Sequence, residues 1–95
     1  MYISEHFIIS NVFFTARVYA DMGLVYIKLG KGKRDDAVKC FKMANARTPK
    51  TPPNEFKAIL LLDIGASYMM MEQLKDAVAF LNSAKDMFCK LLLLH

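Results

Sequence analysis

One arrangement of small and large residues occurs twice along this chain and constrains its fold more than any other feature. Gly23-Leu24-Val25-Tyr26 recurs as Gly65-Ala66-Ser67-Tyr68 after 42 residues, and Asp36-Ala37-Val38 recurs as Asp76-Ala77-Val78 after 40. The difference of two residues falls in the glycine-containing segment Gly30–Lys33. An internal period of about 40 residues in a helical chain is typical of a solenoid built from helix pairs.

Helix-length segments separated by breakers surround these motifs. We predict four helices, from about Asn11 (with Ser10 or Asn11 as N-cap) to Leu29, Arg34 to Arg47, Pro53 or Asn54 to Met71, and Leu74 to Leu92. Gly30-Lys31-Gly32 and the proline-containing stretch Thr48–Pro53 interrupt the helical pattern. No polar–apolar alternation indicates a strand. The sequence therefore predicts an all-α chain of two antiparallel helix-turn-helix hairpins.

The repeated positions match the tetratricopeptide pattern W-x2-L-G-x2-Y…A-x3-F…P. The chain resembles that family over about residues 12–88, and its long period is similar to the subgroup with lengthened helices, as in kinesin light chains. Tyr19 and Leu61 depart from the usual Trp, Leu81 from the Phe, and Cys89 from the Pro. A generic four-helix bundle is the alternative. The positions that the resemblance assigns to the repeat core are Tyr19, Met22, Gly23, Tyr26, Ala37, Phe41, Ala44, Leu61, Ile64, Gly65, Tyr68, Ala77, Leu81 and Ala84.

The resemblance implies two hairpins stacked as a short right-handed superhelix. Residues 1–11 would form an N-terminal tail or partial helix, 12–49 the first repeat, and 50–95 the second repeat with an apolar C-terminal helix end. Small residues at the glycine and alanine positions would let antiparallel helices approach closely, while Tyr26, Tyr68, Phe41 and Leu81 fill the remaining space.

The resemblance also implies a protein-interaction scaffold whose first helix in each repeat lines a concave groove. The predicted groove residues are Arg17, Ala20, Leu24, Ile27, Lys28, Ile59, Leu62, Ala66, Met69 and Met70. The family's carboxylate clamp is missing, because Ala20 and Leu24 occupy its first-repeat sites and Asp63 replaces the second-repeat Asn. An apolar, methionine-containing groove suits an apolar peptide or amphipathic helix. Met69–Met71 could instead fill the core.

A basic segment supports an alternative function. Residues 31–50 carry seven Lys or Arg and two Asp, a net charge of +5 against +4 for the whole chain. Such a segment could bind nucleic acid or an anionic membrane. No aromatic residues interleave with these charges in a stacking pattern, since Phe41 belongs to the predicted core. A solvated helix face is the simpler interpretation, and we do not expect nucleic acid to be a partner.

The sequence contains no motif that indicates catalysis, cofactor binding or metal binding. The chain has no nucleophile–base grouping, phosphate loop or cofactor motif, and we predict a non-enzyme without a cofactor. Cys40, Cys89, His6 and His95 form no metal-ligand pattern, so the cysteines are expected to be buried and reduced. Asp35-Asp36 suits a helix N-terminus better than acid–base catalysis. The apolar start, Met1–Phe14, lacks the basic region of a signal peptide, and no run approaches a membrane span, so a cytoplasmic location is expected.

The apolar content exceeds what one small core requires. Apolar residues make up 55% of the 95 residues, against about 45–50% in typical globular chains. Part of the excess lies at the two ends, in Tyr2, Ile3, Phe7, Ile8 and Ile9 and in Leu91–Leu94. Solenoids generally need three or more repeats with polar caps. We therefore expect a homo-oligomer stacked through the terminal helices, or a fragment of a longer tetratricopeptide protein.

Overall fold

A computed structural model describes residues 5–48 and 54–93, and within these it is helical and contains no strand. Helix α1 spans Glu5–Leu29, a short 3-10 turn spans Lys31–Lys33, and α2 spans Arg34–Ala46. Helix α3 spans Glu55–Met70 and α4 spans Leu74–Leu93. Packing of α1 against α2 and of α3 against α4 confirms the all-α arrangement of two hairpins.

The helix ends follow the local chemistry of the chain. Gly30 ends α1 with φ at +120°, a backbone conformation that residues with a Cβ rarely adopt. Asn54 caps α3, because its side-chain oxygen accepts a hydrogen bond of 2.7 Å from the Phe56 amide. Asp35 and Asp36 lie in the first turn of α2, as predicted. The prolines at 49, 52 and 53 lie outside the described residues.

Helix α1 begins earlier than the sequence indicates. The predicted N-cap at Ser10 or Asn11 is wrong, since α1 is already helical from Glu5. Ser and Asn are common at helix N-caps, but both are tolerated within a helix when neighbouring turns continue the hydrogen-bond ladder.

Aromatic side chains join the two hairpins. The ring of Tyr68 on α3 lies between Phe41 of α2 and Phe80 of α4, with centroid distances of 5.5 and 5.3 Å. Phe41 is fully buried and Tyr68 is 2% exposed. At another point of contact between the hairpins, Phe13 of α1 meets Phe56 of α3 with centroids 6.2 Å apart. Since centroid separations of 4.5–7 Å are favourable for aromatic pairs, the Phe41–Tyr68 contact holds α2 to α3 and the Phe13–Phe56 contact holds α1 to α3.

The assembled helices form a thin slab of 44 × 36 × 15 Å. A slab of this thickness encloses few positions completely, and small residues account for much of the core that it does enclose. Ala16, Ala20, Ala37, Ala44 and Ala77 all belong to the buried cluster around Phe41, Ile64 and Tyr68. Many larger apolar side chains therefore remain on the outer faces, where they are available to other molecules.

Candidate functional site

Helices α1 and α3 bring most of the predicted groove residues onto neighbouring surfaces. Leu24, Ile27 and Ala66 are half-buried. The exposed members of the set are Arg17, Lys28, Ile59, Leu62, Met69 and Met70. Ala20 is different: it is 5% exposed and belongs to the core cluster, so its assignment to the groove surface is corrected. Its methyl group lies where α1 packs closely against the rest of the fold.

The three consecutive methionines divide between surface and core. Met69 and Met70 are 54% and 55% exposed at the end of α3, whereas Met71 is 2% exposed and packs in the core cluster. One turn of helix spans about 3.6 residues, so three consecutive side chains cannot all share one face. Two of the three methionines thus lie on the predicted groove surface, and Met71 packs into the core just before the turn to α4.

An arginine on α1 connects this surface to α3. The Arg17 guanidinium donates a hydrogen bond to the Asp63 carboxylate and lies 3.2 Å from a carboxylate oxygen of Asp21. The hydrogen bond to Asp63 is the main cause of a raised pKa for Arg17, which stays charged across the physiological range. The side chains of Arg17 and Asp63 are 44% and 43% exposed, so water and salt weaken the pair.

The sequence contains a signal for this ion pair in the repeat itself. Asp21 and Asp63 are equivalent repeat positions, 42 residues apart, and each precedes the repeat glycine by two residues. Both carboxylates surround Arg17. Asp21 and Asp63 place an acidic residue at the same position of both repeats, whereas Arg17 has the apolar Ile59 as its repeat equivalent. One arginine near two carboxylates is the pattern that predicts an ion pair between α1 and α3. Two carboxylates at this point also disfavour an anionic ligand there.

An open pocket of about 160 Å³ lies where the end of α3 faces the turn between α1 and α2. Its lining residues are Ile27, Gly30, Lys31, Arg34, Met70 and Met71. Ile27 and Met70 are both predicted groove residues, so the pocket adjoins the surface predicted to be the groove. Apolar side chains line part of it, while Lys31 and Arg34 make one side cationic.

The predicted repeat-core positions mostly lie inside the structure. Ten of them are buried, namely Gly23, Ala37, Phe41, Ala44, Leu61, Ile64, Gly65, Tyr68, Ala77 and Ala84. Tyr19 and Tyr26 are half-buried and pack against the core cluster, and half-buried Leu81 lies against Gly65. Met22 is 41% exposed, which corrects its assignment to the core. Its repeat equivalent Ile64 is fully buried and belongs to the core cluster that contains Phe41 and Tyr68.

The described part of the basic segment, residues 31–48, faces solvent, but its only aromatic residue, Phe41, is not available for stacking on nucleic-acid bases. Lys31, Lys33, Lys39, Lys42 and Arg47 are exposed, Arg34 is half-buried, and Lys50 lies outside the described residues. The Arg47 guanidinium lies 4.8 Å from the centroid of the Tyr19 ring, and Lys33 lies 3.9 Å from Asp36. Phe41 is fully buried and cannot stack on a base.

The two cysteines have different surroundings. Cys40 is buried, and burial is the main cause of the raised pKa of its thiol. Cys89 is exposed on α4, so the expectation that both thiols are buried is wrong for this residue. Within residues 5–48 and 54–93, no group of three or more His, Cys, Asp or Glu side chains could hold a metal ion. His95 and the His6 side chain lie outside what the structure describes.

No family model, curated protein or solved structure matches this chain. Among the helices that the structure describes, none is long and apolar enough to cross a membrane.

Proposed function

We propose that this chain is a tetratricopeptide-like interaction module that binds an apolar peptide or amphipathic helix across α1 and α3. The observation that carries the proposal is the exposed apolar surface of α3, where Ile59, Leu62, Met69 and Met70 are 43–55% exposed beside half-buried Leu24 and Ile27 of α1. Contiguous exposed apolar surface on a small protein is characteristic of an interaction site.

The dimensions of this surface suit an amphipathic helix. Ile59 and Met70 are 11 residues apart on α3, which corresponds to about 16 Å at ~1.5 Å per residue. A ligand helix of about three turns, with anchors at i, i+3 or i+4, and i+7, would cover that length. The exposed methionines add adaptability, because their unbranched side chains and polarisable sulfur atoms fit irregular apolar surfaces.

Charge gives the proposed ligand an orientation. Lys31 and Arg34 line the pocket, and Lys28 lies in the last turn of α1 next to pocket residue Ile27. At the other end of the groove, Asp21 of α1 and Asp63 of α3 flank Arg17. A ligand with acidic residues at the end that meets the pocket would complement this distribution. The opposite orientation would place those acids beside the two aspartates.

Affinity capture with matched variants tests the proposal. Met69→Glu places a carboxylate on the groove surface, and Val78→Glu does the same at a position of almost equal exposure on α4, 55% against 54%. Capture followed by mass spectrometry should identify partners that bind the wild type and Val78→Glu but lose most of their recovery with Met69→Glu. Leu24→Glu tests the α1 side, with helicity by circular dichroism as the folding control. An unchanged partner list for folded Met69→Glu and Leu24→Glu would refute the groove.

The same capture separates the proposed function from binding through the basic segment. Phosphate contacts release counterions, so binding to nucleic acid weakens steeply as salt rises, whereas apolar groove binding does not. Groove partners should therefore lose only a small part of their recovery as ionic strength rises. Complete loss of capture at high salt, together with sensitivity to charge reversal at Lys33, Lys39 and Lys42, which lie outside the pocket lining, would favour the basic surface.

A further inference from the structure

Helix α1 carries a second apolar surface, which faces away from its contacts with α2 and α3. We call it the outer stripe, and its residues are Phe14, Val18, Met22, Val25 and Leu29. Their exposed fractions range from 41% to 72%. Successive spacings of four, four, three and four residues place all five along one side of a helix. The predicted groove uses other positions of α1, so the groove leaves this surface unexplained.

The spacing within the outer stripe makes it complementary to itself. From Val18 onward the steps are four, three and four residues, a series that reads the same in both directions. In an antiparallel pair of α1 helices, Val18 therefore lies opposite Leu29 of the second copy and Met22 opposite Val25. A four-three-four spacing is also the apolar repeat of a left-handed helix pair, in which side chains of one helix fit between those of the other.

Charges beside the stripe favour the same antiparallel arrangement. Asp21 and Lys28 lie one heptad apart on one edge of the stripe, and both are exposed. When two α1 helices pack antiparallel, this edge of one helix lies against the same edge of the other, and the two edges run in opposite directions. Asp21 of one copy therefore comes near Lys28 of the other. This attraction occurs twice across the two-fold axis.

We infer that the outer stripe is a self-association surface, on which α1 of a second copy of this chain packs in antiparallel orientation. The contact from Val18 to Leu29 is only about 16 Å long at ~1.5 Å per residue. A strip of that length and about the 10–12 Å width of one helix covers far less than the ~800 Å² that each partner buries in a standard stable complex. The dimer is accordingly concentration-dependent.

Sedimentation equilibrium of the full chain tests the surface. Between about 5 and 500 μM, the mass should rise from 10.8 kDa toward twice that value. Val25→Lys should weaken association by about tenfold or more, since it buries a charge in the contact. Val78→Lys is the matched control, with 55% exposure against 56% for Val25, and should leave association unchanged. A monomer throughout this range, or equal loss with both variants, would overturn the inference.

A charge variant covers the case in which Val25→Lys fails to fold. Lys28→Glu opposes the carboxylate of Asp21 in the second copy and should weaken the dimer at low salt. Lys75→Glu on α4 makes the same change in net charge at an exposed site outside the contact. Association that responds equally to the two variants would show that net charge, rather than this edge of α1, controls it.

Disulfide crosslinking tests the orientation. In a Cys89→Ser background, mixing Val18→Cys with Leu29→Cys should give the mixed disulfide, because antiparallel packing brings these positions within the Cα separation of about 4.4–6.8 Å that a disulfide needs. Leu29→Cys alone should crosslink poorly, because position 29 of one chain and position 29 of the second chain lie roughly 16 Å apart along the helix axis. The control mixes Val18→Cys with Val78→Cys. Preferential crosslinking of Leu29→Cys to itself would refute the antiparallel arrangement, and so would a yield from the Val18→Cys and Leu29→Cys mixture no higher than the control gives.

Discussion

The ring of Phe41 on α2 lies directly against the backbone of Gly23 on α1, with no Gly23 side chain to hold the two helices apart at that point. A Cβ atom added to Gly23 would be 2.6 Å from Cε1 of this ring and 2.7 Å from Cζ. The second hairpin repeats the relationship, since a Cβ on Gly65 would be 2.8 Å from Cδ2 of Leu81. The repeated glycines are therefore sites of close helix approach, each facing the bulky residue of its own hairpin.

Replacing Gly23 should destabilise the fold despite the better helix propensity of alanine. Gly23→Ala would force the fully buried Phe41 ring to move, and overpacking of this kind costs about 1–3 kcal/mol. The propensity gain of up to ~1 kcal/mol offsets only part of that cost. Urea unfolding measures the difference. Gly32→Ala is the control, because nothing lies within 4 Å of the added atom. Equal stability of the Gly23→Ala variant and wild type would contradict the close approach.

The ion pair between Arg17 and Asp63 should contribute modestly to the association of the hairpins. A double-mutant cycle with Arg17→Met and Asp63→Asn should give a coupling free energy of about 0.2–1 kcal/mol, because both side chains are more than two-fifths exposed. The coupling should shrink in high salt. A second double-mutant cycle, between Arg17 and Asp21, measures the coupling free energy of a contact within α1 and serves as the comparison. A coupling of zero at low salt would show that Arg17 does not link α1 to α3.

Stability should fall at alkaline pH because of Tyr68. Burial is the main cause of the raised pKa of its phenol, with the negative charge of Asp76 adding to it. The unfolded chain loses this proton near the ordinary value of about 10, while the folded chain retains it. The stabilisation is thus fully present below that pH and is lost as pH rises through the raised folded value.

The variant Tyr68→Phe isolates this contribution. Unfolding free energies measured from pH 8 to 11 should fall less steeply for Tyr68→Phe than for wild type. The difference between the two proteins at pH 8, where the Tyr68 phenol is protonated in both the folded and the unfolded chain, serves as the baseline. Identical slopes for Tyr68→Phe and wild type would show that the Tyr68 phenol ionises as easily in the folded chain as in the unfolded one.

The sequence predicts the pairing of helices well because each hairpin repeats its close-approach residues. Gly23 with Phe41 and Gly65 with Leu81 require adjacent helices, and the breaker at Gly30 sets the end of α1. Local chemistry also identifies the cap at Asn54, whose side chain accepts from the Phe56 amide. These features depend on nearby residues or on the internal repeat, which a single sequence displays.

The remaining features depend on which neighbours each helix has. Met22 and Ile64 are equivalent in the repeat, yet one is 41% exposed and the other fully buried, because α1 and α3 occupy different places in the slab. Ala20 is buried for a similar reason, since its small side chain lies at a close contact. A pattern that treats the two copies as identical cannot distinguish these environments.

The most direct test of the proposed groove is site-specific photo-crosslinking from Met69. A benzophenone side chain at position 69 should form covalent products with the same partner that affinity capture recovers, and an unlabelled amphipathic peptide derived from that partner should suppress them. The same probe at Val78, which is equally exposed on α4, should give little product. Strong crosslinking of that partner from position 78 with none from position 69 would contradict binding across α1 and α3.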